Sequence, residues 1–198
     1  MTPNTILSMK TFTRILSALL LFALVAACCC KGGKAAKSDK ATETCFTAID
    51  KYLTDIIGSQ YLGGDICVPF HDYVAVDETD ADDIQVLGDF WVINYNIVGD
   101  TLKALSGGNH PGKMHVKRDK EGHFQVTGFE AVEDGSRFLP TAQAVFGDKF
   151  DDFQASRADQ EKRERIRGEV LAGFVKKYDL DVKVYQDYGW PAKPIPSL

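Results

Sequence analysis

The sequence predicts an α+β domain in which an N-terminal helix packs on a curved antiparallel sheet and further helices are added at the C-terminal end. Three observations carry that prediction. Apolar residues recur at spacings of three and four over 44–57. β-Branched and aromatic residues run almost unbroken over 84–97, and short strand-like runs between glycine-rich turns follow. After Gly135 the period returns to that of helices.

Taken in order, Phe46, Ile49, Leu53, Ile56 and Ile57 form the apolar side of a helix over 44–57, which Gly58 is expected to stop. Residues 70–76 have the composition of a strand. The acidic loop 77–83 reads as a solvated turn, since it lacks the glycine and terminal glutamate of an EF-hand loop. In 84–97 the set Leu87, Trp91, Ile93, Tyr95, Ile97 alternates with Ile84, Val86, Phe90, Val92, so a central strand covered on both faces is expected, with a bend at Gly88. Residues 101–105, 113–118 and 123–132 follow as strands of a meander, and Ser106-Gly107-Gly108-Asn109-His110-Pro111-Gly112 reads as a turn between the first two. A helix over 140–146 stopped by Gly147, a turn at 150–153 and a helix over 159–178 come next. In the last, Ile166, Val170, Leu171, Phe174, Val175 and Tyr178 make the apolar stripe, and the charged run 161–167 reads as a solvated first half. A strand over 182–185 and an aromatic, Pro-containing tail finish the chain.

The 198 residues divide into three parts. Residues 1–27 have the basic flank and short apolar run of a secretory signal, too short for a membrane-spanning helix. Met9-Lys10 opens a signal of ordinary length, so translation is expected to start at Met9. Val25-Ala26-Ala27-Cys28 resembles the lipobox of bacterial lipoproteins, which implies cleavage before Cys28 and a lipid on its thiol. Residues 28–43, with Lys31, Lys34, Lys37 and Lys40, read as a lipidated flexible tether. Residues 44–198 are a single domain, with helix and meander over 44–132 and a helical extension and aromatic tail over 133–198.

The expected address is therefore the bacterial cell envelope, anchored through the lipid; Cys29 after the lipidated residue favours the outer membrane, facing the periplasm. The chain carries a net charge of −5, and most of the acids lie in the domain, so nucleic acid is excluded as a partner. Outside the 28–30 cluster the cysteines are Cys45 and Cys67. An exported compartment permits a disulfide between them, closing a loop of about 22 residues worth about 3 kcal/mol, and free thiols are the alternative that spacing leaves open.

The element order over 44–132 resembles the NTF2-like or cystatin-like folds. That resemblance implies a cone between helix and sheet whose mouth holds an apolar ligand, with an Asp, Tyr or His pair as proton shuttle. The candidates are His71, Asp72, Asp89, Trp91, Tyr95 and His115, of which Asp89, Tyr95 and His71 are the catalytic ones and Trp91, Tyr95 and His115 the ligand-binding ones. His71 and Asp72 are adjacent on a strand and point to opposite faces, whereas Asp89, Trp91 and Tyr95 share one. No metal spacing, nucleophile elbow, dinucleotide fingerprint or phosphate loop is present, and no cofactor is expected. The expected function is a non-enzymatic envelope module binding a small apolar ligand or an envelope protein. The alternatives are an enzyme of NTF2-like fold acting by proton transfer or hydration, and a docking surface such as the tail around Tyr188 and Trp190.

Overall fold

The computed structural model describes residues 44–197. The signal segment, Cys28 and the tether lie outside the described residues. Thr44 opens the first helix, α1 (Cys45–Tyr52): its hydroxyl accepts from the Thr47 N–H at 3.3 Å. The helix continues as a π-helical turn at Leu53–Ile57 and a 3-10 turn at Gly58–Gln60. Gly58 does not stop it, because its backbone is right-handed (φ −60°). The glycine is there for contact: a Cβ would lie 2.5 Å from the Cys67 Sγ. Ile49 and Leu53 are fully buried, each worth about 1.5–3 kcal/mol of transfer free energy.

The π turn corrects the expected apolar stripe. An extra residue in the turn shifts the helical phase, so Leu53 and Ile57 point inward while Ile56 is 48% exposed.

Strands β1 (Ile66–Asp77), β2 (Ile84–Val98), β3 (Thr101–Arg118) and β4 (Phe124–Ala131) pair antiparallel in chain order. The sheet is nevertheless mixed, because the three-residue strand β5 (Val184–Gln186) joins β3 in parallel, with β6 (Lys193–Pro194) outside it. The result is an α+β domain with a curled mixed sheet, an N-terminal helix and C-terminal helices α2 (Phe138–Phe146), α3 (Phe150–Ala158) and α4 (Gln160–Lys177).

Three expectations along the chain change. The stretch 106–112 is not a turn but the middle of β3, paired with β2 throughout. A side chain at Gly107 would collide with the Val92 carbonyl, and one at Gly108 with the Tyr61 hydroxyl, so these glycines serve close packing. A bulge accompanies them, since Asn94 pairs with Ser106 and Tyr95 with Ala104, leaving Leu105 over. Residues 150–153 open a full helix rather than a turn. The charged run 161–167 is also not simply solvated, because Arg167 is only 8% exposed.

β2 is covered on both faces, as its two alternating apolar sets require. On one, Ile84, Val86, Phe90 and Val92 pack with Met114 and Val116 against α1. On the other, Trp91 and Tyr95 pack with Val68, Phe70, Leu102 and Leu171 against α4. A third cluster, Val132, Ala142, Phe146 and Phe153, seats α2 and α3 against Val74 and Leu87.

Candidate functional site

The face of β2 toward α4 holds the residues singled out in the sequence. Register places Asp72 opposite Asp89, Phe70 opposite Trp91 and Ile66 opposite Tyr95. Asp89, Trp91 and Tyr95 therefore do share a face, joined by Asp72, while His71 looks the other way. Asp72 and Asp89 are 5% and 2% exposed, and like charges directly across a ladder repel. Consecutive residues of α4 resolve this. Lys162 Nζ donates to Asp72 at 2.6 Å, aided by the Ser156 hydroxyl at 2.5 Å, and Arg163 ion-pairs with Asp89. Asn109 donates to both Asp89 oxygens at 3.1 and 3.2 Å. The Arg163 guanidinium also lies 4.4 Å from the centre of the Trp91 ring.

One turn further along α4, Arg167 donates to the Tyr95 hydroxyl at 2.9 Å and pairs with Asp187 at 2.5 Å. Burial pushes the Asp89 carboxyl up from its ordinary value, with Arg163 pulling it back. Burial raises the Tyr95 phenol as well, against the attraction of Arg167. Asp187 is held low by its hydrogen bond from Arg167. Asp89 and Tyr95 are thus committed to α4. Of Asp89, Trp91 and Tyr95, Trp91 lines the cleft on the α4 side.

The remaining candidates sit elsewhere. His71 faces α1, with Nε2 3.3 Å from Asp50 Oδ1 and its ring stacked on Tyr73. His115 bridges Asp83 and Glu130 at 2.7 Å each. Partial burial alone would lower its pKa, but those two hydrogen bonds outweigh it and raise it. Cys45 and Cys67 are both free thiols. They lie at opposite ends of the α1 segment, Cys45 near Glu78 and Cys67 against Gly58, and burial pushes both thiols up. In the acidic loop, Asp77 and Asp80 accept from the backbone amides of Thr79 and Asp82. The aromatic tail divides: Tyr185 is buried, while Tyr188 and Trp190 are 96% and 70% exposed.

Clefts lie on both faces of the sheet. On the α4 side, a cleft of about 370 Å³ has Trp91 and Ile93 at its floor, residues 104–109 of β3 along one wall and Gln160, Arg163 and Glu164 along the other. On the α1 side, a groove of about 690 Å³ runs between α1 and β4, lined by Ala48, Tyr52, Ile56, Phe124 and Val126. Its rim carries Lys51 paired with Asp55, and His123 3.2 Å from Asp119. The volume is in the range of small-molecule sites, and the π turn that supplies Asp55 and Ile56 is of a kind often found where ligands bind. The groove is not legible in the sequence, where periodicity places Ile56 in the core and Phe124 and Val126 read as part of an ordinary strand.

Compared with protein-family models, with curated proteins and with solved structures, the chain matches none.

Proposed function

We propose that the protein is a lipid-anchored envelope module that binds a small apolar or amphipathic molecule in the groove between α1 and β4. The observation that carries this reading is the groove itself, with its apolar walls and paired ionic rim. Export and anchoring rest on the Val25-Ala26-Ala27-Cys28 sequence. A groove between a helix and a curled sheet is also what an NTF2-like or cystatin-like cone would present, and that relationship belongs to the same proposal.

The test uses the chain from residue 28 onward carrying Cys28→Ser, titrated with dodecanoate and with a naphthalene sulfonate dye. Saturable binding with Kd on the order of 10 μM and a negative heat-capacity change is expected. Thr47→Trp, at an exposed position lining the groove, should weaken binding at least about tenfold and shift stability by under about 1 kcal/mol. Absence of saturable binding for both molecules would sink the reading.

A further inference from the structure

We infer that the cleft on the α4 side is a peptide slot, in which an extended segment of a partner protein pairs with β3 over residues 104–110 as an added strand. This site is separate from the α1 groove.

The inference starts from how β3 spends its outer edge. β5 occupies that edge at Thr101, Leu102 and Lys103, and β4 occupies it from Gly112 onward. The Val132 N–H closes the second segment by donating to the Pro111 carbonyl at 2.9 Å. Between them, residues 104–110 pair with β2 on one side only, and among the described residues no backbone group pairs with them on the other. A strand edge left in this state presents alternate N–H and C=O groups ready for another chain. At about 3.3 Å per residue, seven residues give a row of about 23 Å, enough for a strand of ordinary length.

β5 would itself fill this row if it ran on. It stops at Gln186, and the chain folds back through a turn in which the Trp190 N–H donates to the Asp187 carbonyl at 3.1 Å. The open row is therefore continuous with an existing strand pairing at one end and with β4 at the other.

The open row lies in the cleft walled by α4. Gln160, Arg163 and Glu164 of α4 stand on one side. Elsewhere on these residues, the Ser106 hydroxyl donates to the Leu62 carbonyl at 2.5 Å, and Gly108 packs against Tyr61. Tyr188 lines the rim, exposed, as an aromatic surface for a guest side chain.

Charge decides against an anionic ligand. Arg163 is matched by Asp89, Arg167 by Asp187, and Glu164 by Lys193 at 2.8 Å. The cations of the cleft are occupied, and the groups left to recognise a guest are those of the β3 backbone.

Hydrogen–deuterium exchange on the full unlipidated chain tests this, with an acetylated, amidated heptapeptide alternating threonine and valine as the probe at millimolar concentration. Exchange at those amides of residues 104–110 that do not donate to β2 is expected to slow at least about tenfold. The same peptide N-methylated at alternate amides along its pairing edge should give no slowing, and Gln160→Trp, at the exposed start of α4, should abolish the effect of the unmodified peptide. No slowing by the unmodified peptide overturns the proposal. Equal slowing by the N-methylated peptide overturns it too, as does protection by maltotriose in place of the peptide. The N-methylated comparison needs no variant, so a folding defect in Gln160→Trp would not blur the outcome.

Discussion

Phe90 and Asp89 are neighbours on β2, yet Phe90 faces α1 and Asp89 faces α4, and the two sides of the strand are held by different forces. On the α1 side the contacts are apolar throughout the cluster of Phe90, Val92, Met114 and Leu53, all fully buried. Phe90 also meets Phe129 edge-on, with ring centres 5.9 Å apart. On the α4 side a comparable apolar cluster around Leu171 is bordered by Lys162, Arg163 and Arg167 with their carboxylates. Non-directional packing tolerates a helix that slides a little; ion pairs to Asp72 and Asp89 do not. The difference teaches that α4 has its register on the sheet specified by charge, while α1 is placed mostly by volume, with the His71–Asp50 contact added, and leaves a groove beside it.

Substitutions on adjacent residues can break this comparison. The largest effect is expected for Phe90→Ala, a loss of about 3–5 kcal/mol from transfer and cavity terms, nearly independent of salt. Chemical denaturation at low and high ionic strength measures it.

Asp89→Ala should cost about 3 kcal/mol, because Arg163 is left packed on Trp91 without its carboxylate. Unlike the aromatic deletion, this loss is repairable. Adding Arg163→Met should recover most of it, since the uncompensated charge is removed and an apolar side chain of similar length remains. A double-mutant cycle in which Arg163→Met brings no recovery would show that the charges do not set the fit of α4.

The smallest effect sharpens the contrast from the sheet's exposed end. His115 has a folded pKa raised above its ordinary value of 6.5 by Asp83 and Glu130. A raised histidine adds stability that is complete below the unfolded pKa and is lost as pH rises through the folded one. Relative to His115→Gln, the natural protein should therefore be more stable at pH values under about 6.5 and should lose that margin above the folded pKa. Asp83 and Glu130, held low chiefly by His115 and Lys113 respectively, add stability that fades only in stronger acid. The margin is expected to be under about 1 kcal/mol, read from urea midpoints across pH.

Much of this arrangement is legible in the sequence where one physical demand dominates a stretch. β2 has apolar residues on both alternating sets, and burial on both faces follows. The helix expected over 159–178 is present as α4, with Asp159 as its cap, accepting from the Lys162 N–H at 2.9 Å. Gly147 stops α2 with φ +53°. Misreadings fall where one residue type answers two demands. Glycine serves both turns and close approach, and at Gly107 and Gly108 the second use wins, fusing two expected strands into one. Arg163 and Arg167 look solvated in isolation, because their partners Asp89 and Asp187 lie far off in the chain. The displaced phase at Ile56 arises from a π turn that no periodicity announces, and the α1 groove was hidden with it.

β3 also fixes an order of events. Its hairpins with β2 and β4 are local and close quickly, whereas the parallel pairing of Thr101 with Val184 joins residues roughly 80 apart in sequence. The three-residue strand β5 offers few bonds in return for that closure. The last piece to join in folding and the first to leave in partial opening is then the C-terminal end of the chain, with β5 and β6. Native-state hydrogen exchange should find Tyr185 and Gln186 opening at lower free energy than β2, so the earliest fraying on warming begins at that corner of the sheet.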